Sequence, residues 1–235
     1  MRCRRSLAVL MAAVTVLVST ASTARAASAR LIARWDMNEW SGSRIMRDSS
    51  GHGLNGRIGG EVGTGVSGNG SRGYRFGRLE PDTPPARPGH LVTVRDNTDL
   101  DPGTRDFVVT VRFRTTYQFG NIIQKGQATV PGGNYKMQIP NGVVQCFFRG
   151  ASRLMRVQTP RRLNDGRWHT VRCSRSRSSV ALSVDGRTVA RSKGWTGKIA
   201  NSWPVTIGGK TACDQIDVGC DYYAGDIDWI QLNTR

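Results

Sequence analysis

Between Phe107 and Arg114 apolar and polar side chains alternate, with Phe107, Val109, Val111 and Phe113 on one side and Thr110, Arg112 and Arg114 on the other. A period of two marks a half-buried β-strand. The same period groups Tyr135, Met137 and Ile139, then Val144, Cys146 and Phe148, and Pro140-Asn141-Gly142 supplies the turn between them. His169, Val171 and Cys173 share one face of a strand beginning at Trp168, and Val180, Leu182 and Val184 share one face of the next. The polar segment 174–179, with Arg175 and Arg177, connects the two, and Asp185-Gly186 turns the chain into Arg187-Thr188-Val189-Ala190, so 168–190 reads as a meander. Shorter strands are predicted at 31–36, 54–58, 72–77, 90–95, 120–125, 152–158, 204–208 and 225–233. Helical periodicity is nearly absent, and 28 glycines break the chain too often for long helices. About a dozen strands separated by close turn signals predict an all-β domain of two packed antiparallel sheets.

The first residues do not belong to that pattern. Arg2, Arg4 and Arg5 precede an apolar run from Leu7 to Val18, and Ala24-Arg25-Ala26 offers a small-x-small cleavage site. Residues 1–26 therefore read as a secretory signal, too short in its apolar run for a membrane span, and 27–235 as a single exported domain. No second apolar stretch of spanning length occurs. The segment 81–88, rich in proline, is expected to cross from one sheet to the other.

Charge narrows the partners without naming one. The chain has 34 Lys and Arg against 17 Asp and Glu, and loss of the four signal arginines leaves a balance of +13. Such an excess draws a protein toward anionic cell-wall polymers, phospholipid headgroups or nucleic acid, or simply keeps it soluble. No arginine-rich tail or aromatic-spaced basic groove concentrates the charge, so no dedicated nucleic-acid site is expected.

Cys3 leaves with the signal, and the even number remaining in an exported chain predicts two disulfides. The expected pairs are Cys146–Cys173, both in strand-like runs, and Cys213–Cys220, which bracket a short polar loop. The paired CxxC spacing of a thiolate metal site is missing.

Trp35-x-Met37-Asn38-Glu39-x-Ser41-Gly42, followed by Asp48-Ser49-Ser50-Gly51-His52-Gly53-x-x-Gly56, resembles the start of laminin G-like domains of the concanavalin A-like lectin/glucanase superfamily, in the variety common in secreted bacterial proteins. Leu100 to Phe113, Gly166-Arg167-Trp168-His169-x-Val171 with Val184-Asp185-Gly186, and Tyr223-x-Gly225-x-Ile227-Asp228-x-Ile230 agree in the same order. The resemblance implies a jelly-roll sandwich of roughly twelve to fourteen strands with its first and last strands adjacent. It also implies a Ca²⁺ ion near a sheet edge, held by Asp48 and Asp228 with a carbonyl near Gly51 or Gly53. The alternative for Asp48 is a turn carboxylate bonded to the amides of Ser50 or Gly51. The whole segment 48–56 reads as a closure element pinned to the last strand.

For ligands, the aromatic residues least explained by strand alternation are Trp40, Trp195 and Trp203, whereas Trp35, Trp168 and Trp229 are assigned to the core. The disulfide loop carries Asp214 and Asp217, with Asp221 just beyond, and leads into Tyr222, a candidate rim for a ligand site. Catalysis finds little support. The only glutamates are Glu39, Glu61 and Glu80, too scattered for a glycosidase strand, and His169 reads as a core histidine bonded to backbone. A lyase set of Tyr135, His169 and Arg172 has no local motif behind it. These readings predict a secreted, monomeric, non-catalytic module for a glycan or cell-wall polymer. The alternatives are a polysaccharide-degrading hydrolase or lyase of the same fold, and a basic adhesive domain for protein or anionic polymer.

Overall fold

The computed structural model describes residues 29–68, 70–79, 87–128, 130–211 and 221–235. The signal segment, most of the proline-rich crossing, and Cys213, Asp214, Asp217 and Cys220 lie outside the described residues. The first strands are β1 (Arg30–Trp35), β2 (Ile45–Met46), β3 (Gly56–Ile58), β4 (Gly63–Gly68), β5 (Ser71–Phe76) and β6 (Val92–Val94). The middle of the chain forms β7 (Phe107–Arg114), β8 (Gly120–Lys125), β9 (Asn134–Ile139), β10 (Gln145–Arg149) and β11 (Leu154–Gln158). It closes with β12 (His169–Arg175), β13 (Ser179–Val184), β14 (Arg187–Lys193), β15 (Val205–Ile207) and β16 (Gly225–Thr234). Among the described residues, helical structure is limited to two short 3₁₀ turns, and no helix is long and apolar enough to cross a membrane.

Two antiparallel sheets result, each of eight strands among the described residues. The first runs β14-β13-β12-β7-β16-β5-β4, with β1 beside β5 on the same edge of β16. The second runs β11-β10-β9-β8-β15-β6-β3-β2. This is the expected jelly-roll sandwich, with the first and last strands paired from Arg30–Thr234 to Trp35–Ile230. The strands on either side of the proline-rich segment, β5 and β6, do belong to opposite sheets.

The inner faces meet as the alternation requires. Phe107, Val109, Val111 and Phe113 of β7 are buried against Tyr135, Met137 and Ile139 of β9 and Cys146 and Phe148 of β10. The rings of Phe107 and Tyr135 stand 5.2 Å apart between the layers. Cys146 and Cys173 join one sheet to the other as the expected disulfide. Asp185 and Gly186 close the β13–β14 hairpin with φ of 48° and 82°. Positive φ at both central residues matches the right-handed strand twist, which is why Asp-Gly is favoured there.

Four expectations change. Trp229 is not core: a bulge between Ile227 and Trp229 keeps Ile227 and Ile230 inward and turns the indole outward, where the Arg34 guanidinium covers it at 4.1 Å. Trp168 is likewise half-buried, flanked by Arg112 and Arg114 at 5.6 and 4.9 Å. Arg175 does not lie in the polar connection between two strands but is the buried last residue of β12. The segment 48–56 docks on β1 through the Trp35–Asp48 bridge, and so reaches the last strand only through β1. Two strands escaped the pattern altogether, since Ile45–Met46 is too short for a period and Gly63–Gly68 has glycine at three of its positions.

Candidate functional site

Trp35 anchors the end of β1, fully buried with its indole Nε1 donating to the Leu54 carbonyl at 2.8 Å. Met37 is also buried, and the chain then emerges to the surface as Asn38-Glu39-Trp40. Glu39 fixes the emerging loop from below: one carboxylate oxygen accepts the Arg47 amide at 2.7 Å and the other accepts the Tyr74 hydroxyl. Burial, then the bond to Glu39, push the Tyr74 hydroxyl far above its ordinary range, so it remains a donor. The Trp40 carbonyl accepts from the Ser43 amide at 3.1 Å and from Thr64 Oγ1 at 2.9 Å. Gly65 lets β4 pass under this turn, because a Cβ there would lie 2.8 Å from the Ser41 nitrogen.

The backbone is thus held while the indole stays largely open to solvent. Trp40 is 72% exposed and Ile45, across the same surface groove, is 59% exposed. The groove holds about 450 Å³ and is lined by Asn38, Glu39 and Ser43 as well as Arg44 and Arg47. Arg72 from β5 stacks on Trp40 with its guanidinium carbon 3.5 Å from the ring centroid. An aromatic plate, a row of guanidinium donors and small polar groups can together accept a polyhydroxyl ring bearing negative charge.

Among the described residues, the other predicted ligand residues do not join this groove. Trp195 is half-buried over Arg175 at 5.1 Å and lines a separate open depression of about 440 Å³ with Thr104 and Arg177. Trp203 contributes its backbone, the amide donating to Asn201 Oδ1 and the carbonyl accepting from Lys125. Tyr222 accepts the Arg87 amide and packs edge-on to His90 with centroids 5.2 Å apart. Asp221 pairs with Lys210 at 2.9 Å and accepts from Asn121 Nδ2 at 3.2 Å, at one side of a small groove with Lys136 and Gln138 on the second sheet.

Of the proposed calcium ligands, Asp48 has both carboxylate oxygens occupied by protein donors. Asp48 Oδ1 accepts the amides of Arg34 and Ser50 at 3.0 and 2.9 Å, and Oδ2 accepts Ser50 Oγ and the Leu54 amide at 2.8 and 3.0 Å. Burial raises this carboxyl, but the hydrogen bonds from Arg34, Ser50 and Leu54 outweigh it and leave the acid strengthened. Asp228 faces Arg112 Nε at 2.9 Å. Gly51 and Gly53 turn the chain at φ of 90° and 72°. Ca²⁺ needs carboxylate lone pairs directed at the ion, and at Asp48 those lone pairs are directed at protein donors. No group of three or more metal-ligating side chains gathers elsewhere among the described residues.

The lyase set is dispersed. Tyr135 is buried between the sheets with its hydroxyl toward the Leu100 carbonyl at 3.3 Å, whereas Arg172 is exposed on β12. His169 is not a core histidine bonded to backbone: Asp185 lies 2.9 Å from its Nδ1 and Asp165 3.1 Å from its Nε2. The residues around Trp40 that sequence reasoning missed include Arg44, Ile45 and Arg47 in the groove and Arg72 against the ring. An isoleucine between two arginines soon after Trp40 was a local signal for the first three, but the arrival of Arg72 depends on a hairpin the pattern did not show.

Comparison with curated proteins gives no match. Among solved structures the chain is similar to the binding domain of Paraclostridial Mosquitocidal Protein 1, with a TM-score of 0.60 and 12% identity over 87% of this chain and 48% of that one. It is similar to the binding domain of Botulinum Neurotoxin DC in complex with SialylT, with a TM-score of 0.57 and 13% identity over 88% of this chain and 46% of that one. A third is Domain 4 of AbnA, a GH43 extracellular arabinanase from Geobacillus stearothermophilus, in complex with arabinotriose, with a TM-score of 0.59 and 14% identity over 88% of this chain and 93% of that domain. The chain spans about half the length of the two toxin domains, and identities this low establish the fold alone. The profile of the laminin G domain matches residues 113–235, more than half of the chain, and the chain belongs to that family.

Proposed function

We propose that this chain is a secreted, non-catalytic module that binds a glycan carrying acidic groups, seated on Trp40. The observation that carries the reading is the contrast at that residue, where a backbone fixed by Ser43 and Thr64 presents an indole that is 72% exposed. Preorganised aromatic surface gives binding energy at a low ordering cost. Arg44 and Arg47 beside it favour carboxylate or sulfate groups over a neutral polymer, in keeping with the basic balance of the chain. Support from similar folds is limited to the arabinotriose complex of the arabinanase domain and the SialylT complex of the toxin domain.

The non-catalytic part rests on the carboxylates. Asp226 is held by Arg75 and Arg114 and Asp228 by Arg112, an arrangement that suits structural ion pairs better than a proton-donating acid. Calorimetric titration with a panel of neutral and uronate-containing or sulfated polysaccharides, run with parallel assays for new reducing ends and unsaturated products, tests the reading. Binding to acidic polymers without product formation is expected. Turnover of any polymer, or silence across the panel, refutes it.

A further inference from the structure

Lys125 is the last residue of β8 and has no solvent exposure. It is in register with Tyr135 on one side and Val205 on the other, both core residues. Four oxygens surround its Nζ: Asp96 Oδ1 at 2.6 Å, the Asn201 carbonyl at 2.7 Å, the Trp203 carbonyl at 2.8 Å and Asp101 Oδ1 at 3.2 Å. An ammonium has three protons to donate. Asp96, Asn201 and Trp203 take them, so Asp101 is held by charge and not by a proton of its own, and its Oδ1 also accepts the Asn201 amide at 3.3 Å.

Two carboxylates and two main-chain carbonyls form the oxygen set that a hard divalent cation draws from protein. Their combined charge exceeds that of one ammonium, leaving the cluster one negative charge in excess. The oxygens come from two places in the chain, the stretch after β6 and the loop before β15, and the cation from the end of β8, so the cluster ties together one end of the second sheet. Asp96 retains 35% side-chain exposure, giving water access to one wall of the cage.

We infer that Lys125 is the resident cation of a metal-like oxygen cage, which makes this end of the sandwich independent of divalent ions, and that removing its ammonium converts the cage into a calcium site. Ca²⁺ suits the vacated space better than Mg²⁺. It accepts irregular shells of six to eight oxygens completed by water, whereas Mg²⁺ demands a compact octahedron. The Asp48 carboxylate taken up by protein donors and the filled cage at Lys125 agree with a fold whose cation is part of its own chain.

The test compares thermal unfolding of the wild type and Lys125→Ala in chelator, in Ca²⁺ and in Mg²⁺, with terbium luminescence as a direct probe of ion binding. The wild-type midpoint should be the same in all three and bind no terbium at this place. The variant should melt lower in chelator and recover by about 5–10 °C when free Ca²⁺ reaches about a hundred times its Kd, with less recovery in Mg²⁺. Adding Asp96→Asn to the variant should remove that recovery and the terbium signal. Where the variant does not fold in chelator, refolding yield in Ca²⁺ against Mg²⁺ replaces the midpoint as the readout. A wild type stabilised by Ca²⁺, or a variant that gains neither stability nor refolding yield from it, overturns the inference.

Discussion

Arg72 stacks on Trp40 at 3.5 Å from the ring centroid, yet the indole remains 72% exposed. The guanidinium occupies one face of the ring and leaves the other to solvent, so the pair works as a rigid shelf. Trp40→Ala should therefore weaken glycan binding by about thirtyfold, equivalent to about 2 kcal/mol for the loss of an aromatic anchor. Its thermal midpoint should scarcely move, because the side chain contributes little buried area and surface changes stay within about 0.5 kcal/mol. Titration calorimetry and a melting curve on the same sample check both halves. Undiminished affinity in the variant would place the ligand site elsewhere.

Cys146 lies in the second sheet and Cys173 in the first, so their bond crosses the layer interface and closes 27 residues of sequence. Replacing both with alanine should cost about 3–4 kcal/mol in the chain-entropy account. A urea unfolding curve reads this as a lower midpoint, and glycan affinity should be retained because the groove at Trp40 is built from the segment between β1 and β2 and from β2 itself.

The alternation at Phe107–Arg114 located the core and Asp185-Gly186 located a hairpin, because a period of two and a positive-φ pair are written in a few adjacent residues. Trp229 departs from the core expectation because a bulge moves a side chain to the opposite face without leaving a mark in composition. The same limit hid the Trp40 shelf. Its indole could be singled out from the sequence, but Arg72 arrives through β5, paired to β4 and β16, and the buried cage at Lys125 assembles residues from 96 to 203. The resemblance implies Asp48 as a calcium ligand, and the donors around its carboxylate, from Arg34, Ser50 and Leu54, are visible only in the structure.

Arg175 illustrates how a charged residue that reads as surface can hold a junction. Its Nη1 donates to the Gly197 carbonyl at 3.1 Å and to Thr196 Oγ1 at 3.3 Å, and its Nη2 to the carbonyls of Gly103 and Arg105 at 3.0 and 2.6 Å. Burial lowers its pKa to about 10, still well above neutrality. Lysine retains the charge but not the planar fork, so Arg175→Lys leaves buried carbonyls unpaired and should cost about 2–4 kcal/mol. A denaturant midpoint equal to wild type would show that charge alone suffices there.

Asp226 contributes to the acid sensitivity of the first sheet. Burial raises its carboxyl, but Arg75 Nε at 2.8 Å and Arg114 Nη2 at 2.7 Å more than offset it, and the net effect in the folded protein is a lowered pKa. In the unfolded chain the same group titrates near its ordinary value of about 4. Between those two values the unfolded state binds more protons, so stability rises with pH; the contribution is complete above the ordinary value and is lost as pH falls through the folded one. Asp36 and Asp48, also lowered, act in the same direction. Asp226→Asn should therefore cost about 1.5–3 kcal/mol at neutral pH, the range for hydrogen bonds to a charged group. It should also flatten the loss of stability below about pH 4. Urea unfolding at a series of pH values separates these effects, since a variant that merely disturbs packing shifts the whole curve by a constant, whereas loss of this carboxylate narrows the gap to wild type as the pH falls.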